Sequence, residues 1–169
     1  AYSVLLTLLL PLVVLRLLWR SRLVPAYRQR LGERLGYIDL ATDGRPLLWV
    51  HAVSLGETIA ARPLIEALLA AHADHQVLVT TTTPTGSEQV RRLFGERVLH
   101  VYAPWDTPAA VRRFLRRARP RLLVLMETEL WPNMLHLCRA EQCAVVLANA
   151  RLSASSARGY ARIAATTRH

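Results

Sequence analysis

Glu57 is the residue of this chain best placed to do chemistry. It closes the segment His-Ala-Val-Ser-Leu-Gly-Glu, residues 51–57, which follows the apolar, strand-like run 46–50. Open α/β folds bind ligands outside the carboxyl ends of their strands, and a carboxylate there can act as a general base on a hydroxyl. The same residues form a capping box, with Ser54 as N-cap and the glutamate three residues on. From spacing alone, a helix cap and a catalytic base both fit.

A second pair of acids follows another apolar run. Glu127 and Glu129 come directly after residues 122–126. One residue separates the two acids at this strand end, so one can face a cleft while the other caps the next helix. After the last predicted strand, Asn149 and Arg151 bring an amide and a guanidinium to the same expected edge of the sheet. The strand ends that carry acids therefore suggest one cleft.

The segment between these strand ends is rich in hydroxyls. Residues 80–88 read Thr-Thr-Thr-Thr-Pro-Thr-Gly-Ser-Glu and lead into a predicted helix. The free N–H groups and positive dipole end of a helix N-terminus suit an anion. The pair Thr85 and Glu88 also has the spacing of a capping box. A well-capped helix and an anion contact are both open at this point.

Several common chemistries have no support in the motifs. The chain lacks the glycine-rich phosphate loops of nucleotide-binding proteins and the G-x-S-x-G turn of serine hydrolases. No His, Cys and Asp cluster has the spacing of metal ligands. Cys138 and Cys143 are too few for a disulfide framework, and we interpret them as reduced core residues.

The charge balance points to anionic partners. The net charge is +10, and every one of the 22 basic residues is arginine, which binds phosphate and carboxylate bidentately. Nucleic acid, anionic lipid and a phosphorylated substrate are the classes to consider. The arginine-rich helix 108–118 lacks interleaved stacking aromatics, so we expect a solvated or membrane-facing surface there and no nucleic-acid partner.

The chain begins with an apolar segment. Residues 1–15 carry no charge, and Trp19 with Arg16, Arg20 and Arg22 forms an interfacial end. We predict a membrane-anchor helix over 1–22, either spanning the bilayer, our first choice, or lying in one leaflet. A cleaved signal peptide fits less well. The excess of arginine after the helix predicts that the following domain faces the cytoplasm.

A basic, membrane-proximal segment over 23–45 follows the anchor. Pro25 opens a predicted helix over 26–35, and Gly36 ends it. The arginines of this stretch suit anionic headgroups, although a solvated helix face would look the same.

From residue 46 onward, strands and helices alternate. We predict strands at 47–51, 76–80, 98–102, 121–126 and 144–148, and helices at 56–71, 85–94, 108–118, 131–141 and 153–166. This alternation predicts an α/β fold, with a Rossmann-like parallel sheet that carries helices on both faces. We assign 46–169 to this domain.

Four motifs, in this order, resemble the bacterial 3-deoxy-D-manno-octulosonic acid (Kdo) transferases. They are residues 51–57, 80–87, 126–133 and 148–153, and the basic stretch 25–36 is similar as well. The resemblance implies a GT-B glycosyltransferase of two Rossmann-like domains, of which this chain is the N-terminal, acceptor-binding one. The implied reaction moves Kdo from CMP-Kdo to a lipid A precursor in lipopolysaccharide inner-core biosynthesis, with inversion and without a metal or other cofactor.

The same resemblance assigns roles to residues. Glu57 matches the catalytic base, and the substrate contacts it implies are Ser54, Gly56, Thr85, Gly86, Ser87, Glu127, Glu129, Asn149 and Arg151. The implied partners are the lipid A precursor, CMP-Kdo and anionic lipid, at the cytoplasmic face of a bacterial inner membrane. Without a donor domain, we expect this chain alone to be inactive.

Two other functions remain open from the sequence. One is a non-catalytic, membrane-tethered α/β module that binds anionic lipid. The other is a GT-B enzyme that acts on another lipid acceptor with a different sugar nucleotide.

Overall fold

The structure, a computed structural model, describes residues 2–127 and 131–150. Its centre is a five-stranded parallel sheet. The strands are β1 (Leu47–His51), β2 (Gln76–Thr81), β3 (Leu99–Tyr102), β4 (Pro120–Met126) and β5 (Ala144–Ala148). Each lies within about one residue of its predicted bounds. The predicted helix 153–166, Glu129 and Arg151 lie outside the described residues.

Helices cover both faces of the sheet. The helices of the α/β unit are α3 (Leu55–Ala71), α4 (Pro84–Phe94), α5 (Pro108–Ala118) and α6 (Pro132–Ala140). One core contains Trp49, Phe114 and Met134, from β1, α5 and α6. The other contains Val50 and Ile65, from β1 and α3, together with α4 side chains. Because neighbouring residues of β1 enter different cores, the strand is apolar from Leu47 to Val50 and is buried at every residue. The predicted Rossmann-like α/β fold is confirmed.

The strand order is β3-β2-β1-β4-β5. The chain winds outward from β1 through β2 to β3, then returns to the other side of β1 with β4. The direction of winding therefore reverses between β1 and β4. A crevice forms at such a switch point, outside the carboxyl ends of the two strands. The residues after His51 and after Met126 border this crevice.

The N-terminal helix α1 runs from Tyr2 to Arg20. It is long and apolar enough to cross a membrane, and none of its residues is fully buried. The helix predicted over 26–35 is wrong as a single element. The chain forms a 3₁₀ turn at Pro25–Arg28 and a short α2 at Leu31–Arg34, because Arg30 between them adopts a left-handed φ of 56°.

Arg30 and Arg34 of this basic stretch point into the protein, where each donates to a backbone carbonyl of the α/β unit. Arg34 is buried, and its guanidinium donates to the carbonyl of Thr82 at 2.9 Å. The guanidinium carbon of Arg34 also lies 4.1 Å from the centre of the Tyr102 ring. Gly36 allows this close packing, since a Cβ there would lie 2.1 Å from the carbonyl oxygen of Ala110.

Candidate active site

The side chain of Glu57 lies at the carboxyl end of β1, beside the switch point. Its carboxylate accepts the N–H of Val53 at 2.8 Å and the hydroxyl of Ser54 at 3.0 Å. The N–H of Glu57 donates back to the Ser54 hydroxyl at 3.3 Å. The predicted cap is therefore present. It also fixes the orientation of the carboxylate, and the residue as a whole is 7% exposed.

Hydrogen bonds join the loop after β1 to the loop after β2. The carbonyl of Val53 accepts both the N–H and the hydroxyl of Thr82, each at 3.0 Å. Gly86 packs against the same loop, since a Cβ there would lie 3.4 Å from the carbonyl carbon of Ser54. Gly56 differs, because a Cβ there would meet only the Ser54 hydroxyl, at 3.9 Å. The first two sequence motifs thus form one rigid border of the crevice, with open space at Gly56.

The N-terminus of α4 is capped two residues earlier than the sequence predicts. Thr83, and not Thr85, is the N-cap, and its hydroxyl accepts the N–H of Gly86 at 3.1 Å. Thr85 lies in the first turn with an exposed side chain. Ser87 is buried, and its hydroxyl accepts a hydrogen bond from Arg30 at 3.3 Å. Of the three predicted substrate contacts in this segment, Thr85, Gly86 and Ser87, the exposed one is therefore Thr85.

The opposite border of the crevice carries Glu127. Its N–H donates to the carbonyl of Ala148 at 2.9 Å, which places it next to the predicted contact Asn149. Glu127 and Asn149 have left-handed φ values of 57° and 54°. Such a conformation costs a non-glycine residue roughly 1–2 kcal/mol, and strained backbone collects at functional sites. The third and fourth motifs are thus paired with each other, as the first two are.

Beneath the site lies a buried polar group that the sequence analysis does not identify. His51, at the end of β1, is fully buried, and its Nδ1 is 2.8 Å from the hydroxyl of Thr80. That hydroxyl also accepts the indole N–H of Trp49 at 2.8 Å. Burial lowers the pKa of His51 to about 4, so the ring is neutral at pH 7. Its edge-to-face contact with Trp131, at 5.0 Å between ring centres, links β1 to the start of α6.

Arg30 is a second residue near the site whose position there the sequence does not predict. It donates to the backbone carbonyl of His100 at 2.9 Å and pairs with Glu33 at 2.6 Å. The pKa of His100 falls to about 3 because the ring is buried and lies near cationic arginines. The left-handed φ at Arg30 aims this side chain at β3 and α4. The residues around Arg30 in the sequence carry no signal for such a long-range contact.

One group of potential metal ligands lies away from the crevice. The ligand atoms of His72, Asp74 and His75 are within 4.8 Å of one another, just before Gln76 begins β2. This is the amino end of the sheet, opposite the carboxyl ends that border the crevice. These three residues therefore do not belong to the candidate site.

The arrangement is suited to deprotonating a hydroxyl beside bound anionic groups. The structure brings the predicted residues to one edge of the sheet in two sets: Ser54, Gly56, Glu57, Thr85, Gly86 and Ser87 on one side, and Glu127 and Asn149 on the other. An oriented carboxylate beside a crevice suits general-base chemistry. The roles of these residues stay predictions.

Comparison with known proteins identifies the family. Residues 29–169 match the model of the family described as 3-deoxy-D-manno-octulosonic-acid transferase (kdotransferase). The chain is 43% identical over 165 residues to the 3-deoxy-D-manno-octulosonic acid transferase of Haemophilus influenzae, which covers 97% of this chain and 39% of that protein. It is 49% identical over 116 residues to the Bordetella pertussis protein of the same name, covering 66% of this chain and 27% of that protein.

A plant protein is similar as well. The probable mitochondrial 3-deoxy-D-manno-octulosonic acid transferase of Arabidopsis thaliana is 38% identical over 146 residues, covering 86% of this chain and 33% of that protein. The chain thus spans less than half the length of these relatives. The match confirms the resemblance found in the four sequence motifs, and this chain belongs to the Kdo transferase family, of which it represents the N-terminal domain.

Proposed function

We propose that this chain is the acceptor-binding half of an enzyme that transfers Kdo from CMP-Kdo to a sugar hydroxyl of a lipid A precursor. The observation that carries the proposal is the position of Glu57. In a chain of the Kdo transferase family, its oriented carboxylate borders the crevice at the switch point of the sheet. Family membership supports Kdo transfer, while the donor, the acceptor and the base are the parts that we propose.

In this mechanism the carboxylate of Glu57 takes the proton of the acceptor hydroxyl. The hydroxyl oxygen forms a bond to the anomeric carbon of Kdo, and the bond from that carbon to the phosphate oxygen of CMP breaks. CMP leaves with the electron pair, so a single displacement inverts the anomeric centre. We propose that the step needs no metal ion.

The capping bonds are compatible with this role. They hold the carboxylate in one orientation before the acceptor arrives, which lowers the entropic cost of reaching the reactive geometry. The hydroxyl of Ser54 occupies one carboxylate oxygen at 3.0 Å. We propose that the acceptor hydroxyl takes this hydrogen-bonding position in the reactive complex.

The remaining site residues divide between the two borders of the crevice. We propose that the exposed Thr85 and the open backbone at Gly56 contact anionic groups of a substrate, and that Glu127 and Asn149 contact the sugar being transferred or accepted. Residues beyond this chain are proposed to supply most of the CMP-Kdo site, since the chain is 39% of its Haemophilus influenzae relative. The acceptor is a membrane lipid, which suits the apolar helix α1.

The test uses the full-length protein in detergent with CMP-Kdo and a tetra-acylated lipid A precursor. The variant is Glu57→Gln, which keeps the size of the side chain and one carbonyl oxygen for the cap. We expect wild-type protein to form the Kdo-lipid product and the variant to remain folded with activity lowered 10²- to 10⁴-fold, the usual contribution of a general base.

Three outcomes would change the proposal. A folded Glu57→Gln variant with full activity would leave Glu57 as a helix cap only. Wild-type protein that accepts another sugar nucleotide would favour a different lipid glycosyltransferase. Wild-type protein that transfers no sugar but binds anionic vesicles would favour a non-catalytic tethered module.

A further inference from the structure

The first turn of α1 is bonded to the α/β unit. The hydroxyl of Tyr2 donates to the carboxylate of Asp106 at 2.9 Å, and the hydroxyl of Ser3 donates to the side-chain oxygen of Asn133 at 2.6 Å. Asp106 is itself held firmly, because it accepts the backbone N–H groups of Asn133 and Met134 at the start of α6. The N-terminal end of α1 is thus attached to a rigid part of the protein.

The last turn of α1 packs on the 3₁₀ turn that leads into this unit. Ser21, just after the helix, is buried. The guanidinium carbon of Arg20 lies 4.7 Å from the centre of the Tyr27 ring, and the chain reaches β3 and α4 shortly afterwards through the bonds of Arg30 to His100 and Ser87. The first turn of α1 is therefore bonded directly to the α/β unit, and its last turn is connected to that unit through the 3₁₀ turn and Arg30.

The sides of α1 differ in exposure along its whole length. The less exposed residues recur every three or four positions, as one helical face does: Ser3, Leu6, Leu10, Val14 and Leu17. The opposite face is apolar and 58–70% exposed at Leu5, Leu8, Leu12, Leu15 and Trp19. Tyr2, Leu6, Leu10 and Val13 also line a cavity of about 270 Å³ together with Trp105 and Trp131. Contact with the α/β unit is therefore not confined to the two ends.

We propose that α1 lies in the plane of one membrane leaflet, bonded to the α/β unit by its first turn and connected to it through the 3₁₀ turn at its last, and does not cross the bilayer. A helix of this length is about 28 Å long, close to the thickness of the hydrocarbon core, roughly 30 Å. If it crossed, Tyr2 and Ser21 would lie on opposite sides of the membrane. The contacts of Tyr2 and Ser3 with Asp106 and Asn133 would then be impossible.

The occupant of the exposed face is the hydrocarbon of the bilayer. A row of leucines with a tryptophan forms that face, and the exposed side chains of Arg16, Arg20 and Arg22 are near the carboxyl end of the helix. Long arginine side chains reach from an apolar surface to the headgroup level, and an in-plane helix of this kind is bound by its apolar face and by anionic lipid. Nothing in this inference depends on which sugar the protein transfers.

The test joins the two ends of the contact covalently in native membranes. Full-length protein carries Ser3→Cys and Asn133→Cys, and a protease site is inserted in the exposed loop 41–44. A short bis-thiol cross-linker is added, and the loop is then cut. Leu12→Cys with Asn133→Cys is the matched control, since Leu12 lies on the opposite face of α1. Protein without added cysteines serves as the blank, because Cys138 and Cys143 are buried.

We expect the two fragments of the Ser3 and Asn133 pair to stay joined after cleavage, and those of the Leu12 pair to separate. Separation of the Ser3 pair in membranes, although it cross-links in detergent, would overturn the inference. So would labelling of the single Ser3→Cys variant by an impermeant maleimide added outside spheroplasts, because a spanning helix places that residue on the outer side. Melting curves of each variant show that it is folded.

Discussion

The contrast between Ser54→Ala and Glu57→Gln separates the capping role of the Glu57 segment from a catalytic one. Both residues belong to the same cap, with hydrogen bonds of 3.0 and 3.3 Å between them. If the segment is only a helix cap, the two variants should differ in stability and not in activity. If Glu57 is also the base, the activity of Glu57→Gln should fall well below that of Ser54→Ala.

The stability effects follow from the bonds that each variant loses. Ser54→Ala removes the N-cap side chain that accepts the N–H of Glu57, which costs about 1 kcal/mol, with a usual range of 0.5–2. For a domain of this size that lowers the melting temperature by about 2–4 °C. Glu57→Gln keeps a side chain that serves equally well at this position of a capping box, so we expect a change within about 0.5 kcal/mol.

The activity effects should have the opposite order. Loss of the base in Glu57→Gln is expected to lower kcat by 10²- to 10⁴-fold, which is about 3–5 kcal/mol of transition-state stabilisation. Ser54→Ala leaves the carboxylate in place and bonded to the N–H of Val53, so we expect less than a tenfold loss. The assay is transfer of Kdo from CMP-Kdo by full-length protein at saturating substrate, with thermal unfolding of each variant measured in the same buffer.

Two results would refute this reasoning. Equal losses of activity in the two variants would mean that the orientation of the loop, and not the carboxylate, limits the rate. A Glu57→Gln variant with full activity would assign the proton transfer to another residue. A bell-shaped pH profile whose acidic limb disappears in Glu57→Gln would support the base directly.

Three further predictions concern the borders of the crevice and the core beneath it. Gly86→Ala should destabilise the protein by about 1–3 kcal/mol in urea unfolding, because its Cβ would lie 3.1 Å from a threonine hydroxyl. Gly56→Ala should be neutral or slightly stabilising, because its Cβ would make only an ordinary contact at 3.9 Å. Burial lowers the pKa of His51 to about 4, so the contribution of the neutral ring to stability is complete above pH 6.5 and is lost as the pH falls. From this group alone, we expect the free energy of unfolding to be about 2 kcal/mol lower at pH 5 than at pH 7.5. Glu127→Gly should relieve the left-handed φ of 57°, raise stability by up to about 1 kcal/mol and lower Kdo transfer; an unchanged transfer rate would remove Glu127 from the site.

The strands and their ends could be predicted because their signals are local. Each strand is a short, largely apolar run. At the centre of the sheet every residue of β1 is buried, whereas the edge strand β5 is mostly exposed. The cap at Ser54 is likewise local, since all of its partners lie within four residues. The strand ends gave the candidate site because a parallel sheet brings its carboxyl ends to one edge.

What could not be predicted depends on contacts between distant residues. Arg30 breaks the predicted helix because its guanidinium binds Ser87 and His100, far along the chain. Asp106 supplies the cap of α6 from the loop after β3, while the residue in the N-cap position, Trp131, forms no side-chain cap. The N-cap of α4 is Thr83 and not Thr85 for another reason. Several consecutive residues carry hydroxyls that could cap this helix, so the backbone conformation decides which one does.

The strand order also has a consequence for how the protein folds. β1 pairs with β2 after a single crossover through α3, with Leu47 opposite Gln76. Its other partner, β4, is much farther along the chain, with Leu48 opposite Leu122. Loop-closure entropy favours the nearer pairing, so β1, β2 and β3 can assemble before β4 has been synthesised. Until β4 arrives, β1 is an open edge that can pair with other chains. The segments that carry Glu57 and Glu127 come to the same part of the sheet only when β4 pairs with β1, so the crevice is among the last parts to form. Variants that slow the insertion of β4 should therefore lower the yield of folded protein more than its final stability.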